Sequence, residues 1–291
     1  MRAALREWAI SHLGATGDFD VLPTIGSKEL VAWLPSYLQA RKVNFPEVAY
    51  PTYLVGAILA NATGVPVDVD PETWPDADLS WINSPSNPTG QVHTEAELDS
   101  VIAWSRKTGT VIASDECYLE FGDFRSPVSV LSRTGGDNTN ILAVHSLSKR
   151  SNLAGYRAAF IVGDSRLIHK IREIRKHAGM MVPLPVQRAM EIALTDDQHV
   201  IEQRSRYNAR RARLVPVLKH AGFQIEKTHA GLYIWATREE ADMTTVAWFA
   251  QLGILVTPGH FYGEKGANHI RIAMTATDSQ IDEAAQRIQS R

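Results

Sequence analysis

Apolar and polar positions follow two rhythms along this chain. Leu5, Trp8, Ala9 and Leu13 recur at helical spacing and predict an amphipathic helix over residues 1–13. The chain starts inside that helix with no capping residue, so a preceding segment is expected. Leu30, Val31, Leu34 and Leu38 repeat the helical spacing after Gly26-Ser27-Lys28-Glu29, and Pro35 is expected to end or kink that helix. Another helix is expected over 52–62. A short strand at 79–82 runs into the turn cluster Asn83-Ser84-Pro85-Ser86-Asn87-Pro88-Thr89-Gly90. Thr94 and Glu97 form a capping box that opens a helix reaching to about Arg106. Continuous apolar runs at 110–114, 141–144 and 158–162 have strand length and β-forming residues.

Beyond Asp164 the rhythm is helical. Leu167, Ile168, Ile171 and Ile174 form one stripe, a break follows at 180–185, and helices are expected over 185–194 and 197–221. The second carries an arginine run, Arg204 to Arg213, that reads as a solvated face because aromatic residues barely interleave it. Short strands then appear at 223–225, 232–235 and 254–256, with a helix over 244–252. In His269-Ile270-Arg271-Ile272, the two isoleucines share one face and Arg271 points to the other. Alternating strands and helices in the first part predict an α/β fold with a mainly parallel sheet. The later shift predicts a smaller α+β domain. The expected division is 1–196 and 197–291.

With 291 residues, 44% of them hydrophobic, the chain can bury one large core or two ordinary ones. Its formal charge of -2 gives no sign of a nucleic-acid or membrane surface. No apolar run reaches spanning length, and residues 1–10 lack a signal-peptide core. One cysteine, Cys117, allows neither an internal disulfide nor a cysteine metal cluster. No metal site is expected, and a reducing cytoplasm suits this composition.

The chemistry centres on Ser146-Leu147-Ser148-Lys149, followed by Arg157, in the turn between two core strands. Lys149 there can bind an anion or, when desolvated, bond to a carbonyl; a polar capping turn is the plain alternative. Two hydroxyls and an arginine suit a phosphate. A lysine beside phosphate ligands suggests pyridoxal phosphate, held by both its aldehyde and its phosphate. Gly26-Ser27 at a helix start offers free N–H groups to an anion or serves as a simple cap. Tyr50 is either a core aromatic or a ring stacked on a flat ligand. Asn87, Asp115 and Lys149 each follow an apolar strand, so all three converge on the carboxyl edge of the sheet, where such folds bind ligands. Arg271 in its short strand needs an anion, either a local acid or a substrate carboxylate.

Asn87-Pro88-Thr89-Gly90, Asp115 with Tyr118, Ser146-x-Ser148-Lys149 with Arg157, and Arg271 together resemble the fold-type I aminotransferases of class I/II. The resemblance covers nearly the whole chain. It implies a large domain around a seven-stranded, mainly parallel sheet, a smaller C-terminal domain, pyridoxal 5'-phosphate as cofactor, amino-acid and 2-oxo-acid substrates, and a homodimer. It also implies roles. Lys149 bonds the aldehyde and moves the α-proton; Asp115 pairs with the protonated ring nitrogen. Asn87 and Tyr118 bond the ring's phenolic oxygen, and Tyr50 stacks on the ring. Gly26, Ser27, Lys28, Ser146, Ser148 and Arg157 hold the phosphate, and Arg271 grips the substrate α-carboxylate.

A narrower likeness rests on Tyr50-Pro51-Thr52-Tyr53-x-Val55-Gly56-Ala57 and on 146–157 as a whole, which look like the actinobacterial N-succinyldiaminopimelate aminotransferases of lysine synthesis. Arg150 and Asn152 are candidates for a distal carboxylate only by their position. Family members carry a segment ahead of this first helix, with a substrate-contacting glycine and a tyrosine that reaches the neighbouring subunit's phosphate. Its absence implies a start set too late or a short form. The same motifs also serve other amino-acid aminotransferases and carbon–sulfur β-lyases, and a non-catalytic binder is the remaining alternative.

Overall fold

The computed structural model describes residues 1–123 and 127–290. Helix α1 (Arg2–Leu13) buries the predicted face, with Trp8 edge-on to Phe160 at 5.4 Å. Seven strands make one sheet: β1 (Asp20–Ile25), β2 (Lys42–Pro46), β3 (Thr63–Val67), β4 (Leu79–Asn83), β5 (Val111–Asp115), β6 (Ile141–Ser146) and β7 (Ala158–Gly163). Their order is β1-β7-β6-β5-β4-β2-β3. The five from β3 to β6 run parallel, and β7 and β1 close one side antiparallel. Strands β4 to β7 are buried along their whole length, which explains their unbroken apolar character.

Helices α2 (Ser27–Leu38), α3 (Thr52–Leu59), α4 (Glu95–Thr108), α5 (Leu147–Arg150), α6 (Ser165–His177) and α7 (Leu184–Leu194) connect or flank these strands. The Thr94–Glu97 capping box is present, and such caps contribute about 1 kcal/mol. Helix α2 does not stop at Pro35 but continues to Leu38. A proline removes one hydrogen bond, and here the freed region packs tightly: a Cβ on Gly56 of α3 would lie 2.9 Å from the Val31 carbonyl oxygen. In α6 the fourth stripe residue, Ile174, is exposed, and Arg175 is buried instead, donating to Glu29 at 2.6 Å and to Tyr37.

The long helix α8 (Gln198–His220) leads to a four-stranded sheet of β8 (Gln224–Ile225), β9 (Tyr233–Thr237), β10 (Thr257–Pro258) and β11 (His269–Ala273), in the order β10-β11-β9-β8. Helices α9 (Asp242–Gln251) and α10 (Asp278–Gln289) pack with α8 on one face of it. The strand expected at 254–256 begins only at Thr257, where pairing with β11 starts. The arginine run is not wholly solvated: Arg211 is buried and donates to the Gly231 carbonyl at 2.7 Å. Lys265 reaches Glu47 at 2.7 Å, linking the small-sheet region to the large one. No helix among the described residues is long and apolar enough to cross a membrane.

Candidate active site

The parallel register sets Asn83 beside Asp115 at the ends of β4 and β5. Strand β6 ends at Ser146, whose hydroxyl accepts the Ser148 N–H at 3.1 Å and starts α5, the single turn that carries Lys149. On the other side Ile25 pairs with Ala158, so Gly26 faces Arg157. That approach is close. A Cβ on Gly26 would sit 2.1 Å from Nη2 of Arg157, and Gly26 has φ 75°, so glycine is required twice over. The expected edge is therefore real: Ser27, Lys28, Tyr50, Asn87, Asp115, Tyr118, Ser146, Ser148, Lys149, Arg157 and Arg271 line one cavity of about 290 Å³.

One expected contribution is corrected. The Gly26 N–H donates to the Thr24 carbonyl at 2.9 Å and is not free for an anion. What Gly26 offers is the missing side chain beside Arg157. The amides that open α2 remain, because the first N–H groups of a helix have no partner within it. Lys28 is exposed, with Nζ 5.6 Å from the centre of the Tyr50 ring.

Asp115 is buried and receives two neutral donors, the Tyr53 hydroxyl at 2.9 Å and the Cys117 N–H at 3.2 Å. Burial pushes its carboxyl up, while the Cys117 and Tyr53 hydrogen bonds and His145 pull it back in part. Burial likewise pushes Tyr53 well above its ordinary value, with Asp115 adding to it, so Tyr53 stays a donor. Asn83 locks the neighbouring turn. Its amide donates to the carbonyls of Asp115 and Pro85, and its oxygen accepts the Asn87 N–H at 2.8 Å. Asn87 in turn accepts from Arg271 Nη1 at 3.1 Å. The Arg271 guanidinium lies 4.0 Å from the Tyr233 ring centre and 5.2 Å from that of Tyr262.

Tyr53, Asn83, Cys117 and Tyr233 were absent from the sequence-derived set. Tyr53 sits three residues after Tyr50, one helical turn on, but only the fold brings it to Asp115. Arg150, a positional candidate for a distal carboxylate, does not face this cavity. It is buried, bonded to Glu120 at 2.8 Å and to Asp197, and donates to the Ala193 carbonyl at 2.6 Å.

The charges of the cavity fit pyridoxal phosphate. Asp115 is a buried acid with no cation paired to it among the described residues, and a protonated ring nitrogen supplies one. Arg157, Lys149 and Arg271 are cations with no carboxylate partner among the described residues, and the buried Nε of Arg271 has no acceptor. A phosphate and a substrate carboxylate supply partners for the two arginines, and an aldehyde bonds the lysine amine. The guanidinium of Arg157 packs directly on Gly26, in the space a side chain there would take, and lines the cavity from that position.

The sequence model of the class I and II aminotransferases matches residues 2–288. Rv1178 of Mycobacterium tuberculosis, described as a probable aminotransferase, is 51% identical over 292 residues, covering 98% of this chain and 69% of its own. OxyQ of Streptomyces rimosus, a 4-dedimethylamino-4-oxo-anhydrotetracycline transaminase, is 50% identical, covering 99% of this chain and 82% of its own. A solved structure described as a probable N-succinyldiaminopimelate aminotransferase, from Thermus thermophilus, superposes with a TM-score of 0.92 at 25% identity, covering 99% of this chain and 83% of that one. A match running from one end of the chain to the other, on a cavity whose unpaired charges complement the cofactor, leaves one reading: this chain belongs to the class I and II aminotransferases and is a pyridoxal-phosphate-dependent enzyme.

Proposed function

We propose that the enzyme exchanges an amino group between N-succinyl-LL-2,6-diaminopimelate and 2-oxoglutarate, serving diaminopimelate and lysine synthesis. Arg271 carries the amino-acid part of this reading. It is a planar cation held between two tyrosine rings in the cavity that Lys149 lines, with no acid of its own among the described residues. The diaminopimelate part draws on likeness to the Thermus thermophilus protein.

When bound, pyridoxal phosphate supplies an aldehyde that takes up the amino group and a ring that withdraws electrons from the reacting carbon. Lys149 holds the aldehyde, then takes the substrate α-proton on Nζ and later returns it. Asp115 keeps the ring nitrogen protonated. The Asn87 oxygen accepts from Arg271, which leaves its amide NH2 as the group that would donate, with the Tyr118 hydroxyl, to the ring oxygen. Tyr50 covers the ring. The amides of Ser27 and Lys28, the hydroxyls of Ser146 and Ser148, and Arg157 hold the phosphate, in the manner of anion sites at helix starts. Gly26 leaves room for the Arg157 guanidinium.

The similarity to OxyQ favours a second reading, an acceptor of the polycyclic-ketone kind in that protein's name. A substrate panel separates the two. With N-succinyl-LL-2,6-diaminopimelate and 2-oxoglutarate, glutamate should form at the highest kcat/KM of the panel. Higher kcat/KM on the oxo-anhydrotetracycline overturns the diaminopimelate reading. Release of homocysteine, pyruvate and ammonia from cystathionine, with no glutamate formed from 2-oxoglutarate, overturns the transfer reading altogether.

We also propose a homodimer in the cytoplasm. Helix α3, which begins two residues after Tyr50, turns Leu54, Val55, Ile58 and Leu59 to solvent, an apolar strip of the kind that subunit contacts cover. Light scattering should report two copies per particle, and a monomer throughout the micromolar range would reject this. Recovery of the expressed protein in a membrane or extracellular fraction would reject the location.

A further inference from the structure

We propose that Tyr233, on strand β9, is a positioning residue for the cofactor's ring oxygen, acting through the hydroxyl of Tyr118. The inference rests on the reading above, in which Tyr118 donates to that oxygen. Tyr233 is buried, and a buried phenol needs a partner for its hydroxyl. That partner is Tyr118: the two oxygens are 3.3 Å apart and the rings meet edge to face at 5.9 Å. The spacing is long for two hydroxyls.

The same ring has a second task. Its face lies 4.0 Å from the Arg271 guanidinium, so one side chain touches both the carboxylate-binding arginine and the cofactor-facing phenol. Tyr118 reaches the site from the loop after β5, and Tyr233 from the small sheet. A phenylalanine at 233 would keep the ring against Arg271 and lose only the hydroxyl. The tyrosine oxygen therefore serves Tyr118, not Arg271.

Chemistry fixes the direction of the effect. If Tyr233 donates to the Tyr118 oxygen, the Tyr118 O–H becomes a stronger donor, because linked hydrogen bonds polarise one another. A strong donor at the ring oxygen stabilises negative charge there. That charge is least compensated when the nitrogen joining Lys149 to the cofactor has lost its proton. The pair Tyr233–Tyr118 thus lowers the proton affinity of that nitrogen. The other titratable groups facing Tyr118 are Asp115 at the end of β5 and Cys117 from the loop after it, with Lys149 and Arg271 lining the same cavity. None of them changes in the test.

The test is a pH titration of the visible absorbance of cofactor-loaded wild type, Tyr233→Phe, Tyr118→Phe and the double variant. Tyr233→Phe should raise the midpoint by about half a unit, roughly a threefold gain in proton affinity. Tyr118→Phe should raise it further, and the double variant should match Tyr118→Phe alone, because coupled residues are not additive. KM for the amino-acid substrate should stay within about twofold in Tyr233→Phe, since the ring over Arg271 remains. An unchanged midpoint in Tyr233→Phe, beside a shifted Tyr118→Phe, overturns this proposal alone. A Tyr233→Phe shift that persists in full without Tyr118 overturns it too. No shift in Tyr118→Phe rejects the placement of Tyr118 at the ring oxygen, and this proposal with it.

Discussion

Replacing Lys149 with alanine is expected to abolish both amino transfer and the visible band of the cofactor-loaded enzyme, and to leave the fold intact. Three features of the site lead there. Lys149 lies in a one-turn helix held by the Ser146 cap, so its place depends on backbone contacts and not on its amine. Its amine has no carboxylate partner among the described residues, so removing it orphans no buried acid. Stability should therefore move by no more than about 0.5 kcal/mol, as for changes outside a packed or paired position. The chemistry has no second base at hand among the described residues: Asp115 is turned to Tyr53 and Cys117, and Arg271 donates to Asn87. Loss of the covalent bond and of the proton carrier together should lower kcat by roughly 10⁴-fold or more. The cofactor should still bind, more weakly, through Arg157 and the opening turn of α2. A Lys149→Ala enzyme that keeps turnover within tenfold of wild type, or retains the wild-type band, would remove the basis of the catalytic assignment.

How much of this was legible in the sequence depended on whether the cause lay nearby along the chain. The Thr94–Glu97 cap is a local signature and forms as read. The alternation that turns Arg271 away from Ile270 and Ile272 is also local, and those isoleucines are buried. The meeting of Asn87, Asp115 and Lys149 followed from a general property of parallel sheets. Strands β1, β2 and β3 were not seen, because Pro23, Pro46, Gly64 and Pro66 interrupt their pattern and β1 and β3 are edge strands, where proline is tolerated. Nor could local rhythm reveal that β1 and β7 run antiparallel, since direction is a property of pairing. The missed site residues share that cause. Tyr53 reads as a core aromatic of α3 until β5 brings Asp115 to its hydroxyl. Tyr233 reads as one apolar residue of a strand until the small sheet meets the loop that carries Tyr118. Arg211 reads as surface until the Gly231 carbonyl is placed against it. In each case a polar atom finds its partner across the fold, and a window along the chain does not contain that partner.

Changing Asp115 to asparagine should separate stability from catalysis. In the cofactor-free protein the Asp115 carboxyl is raised by burial, so the folded state holds its proton more tightly than the unfolded chain. Such a group contributes stability that is fully present below the ordinary carboxylate range. That contribution is lost as pH rises through the folded value. Asparagine keeps nearly the same shape, and the Tyr53 hydroxyl can reverse to accept from its amide. Without cofactor, Asp115→Asn should therefore melt no lower than wild type, and its advantage should be larger at neutral pH than at about pH 4, the ordinary carboxylate value. Adding pyridoxal phosphate should reverse the order, because a protonated ring nitrogen gives the wild-type carboxylate the cation it lacks. The same pairing draws electrons into the ring while the α-proton leaves. A neutral amide does not hold that positive charge in place. The rate should fall by roughly 10³-fold or more, the scale of losses when a fixed electrostatic partner is removed from a transition state. Melting curves at both pH values, with and without cofactor, and turnover of the two proteins make the comparison. Wild-type turnover in Asp115→Asn would place the ring nitrogen elsewhere. A cofactor-free variant that melts well below wild type at neutral pH would show that Asp115 is held as a structural charge, a role for which its two neutral donors are poorly suited.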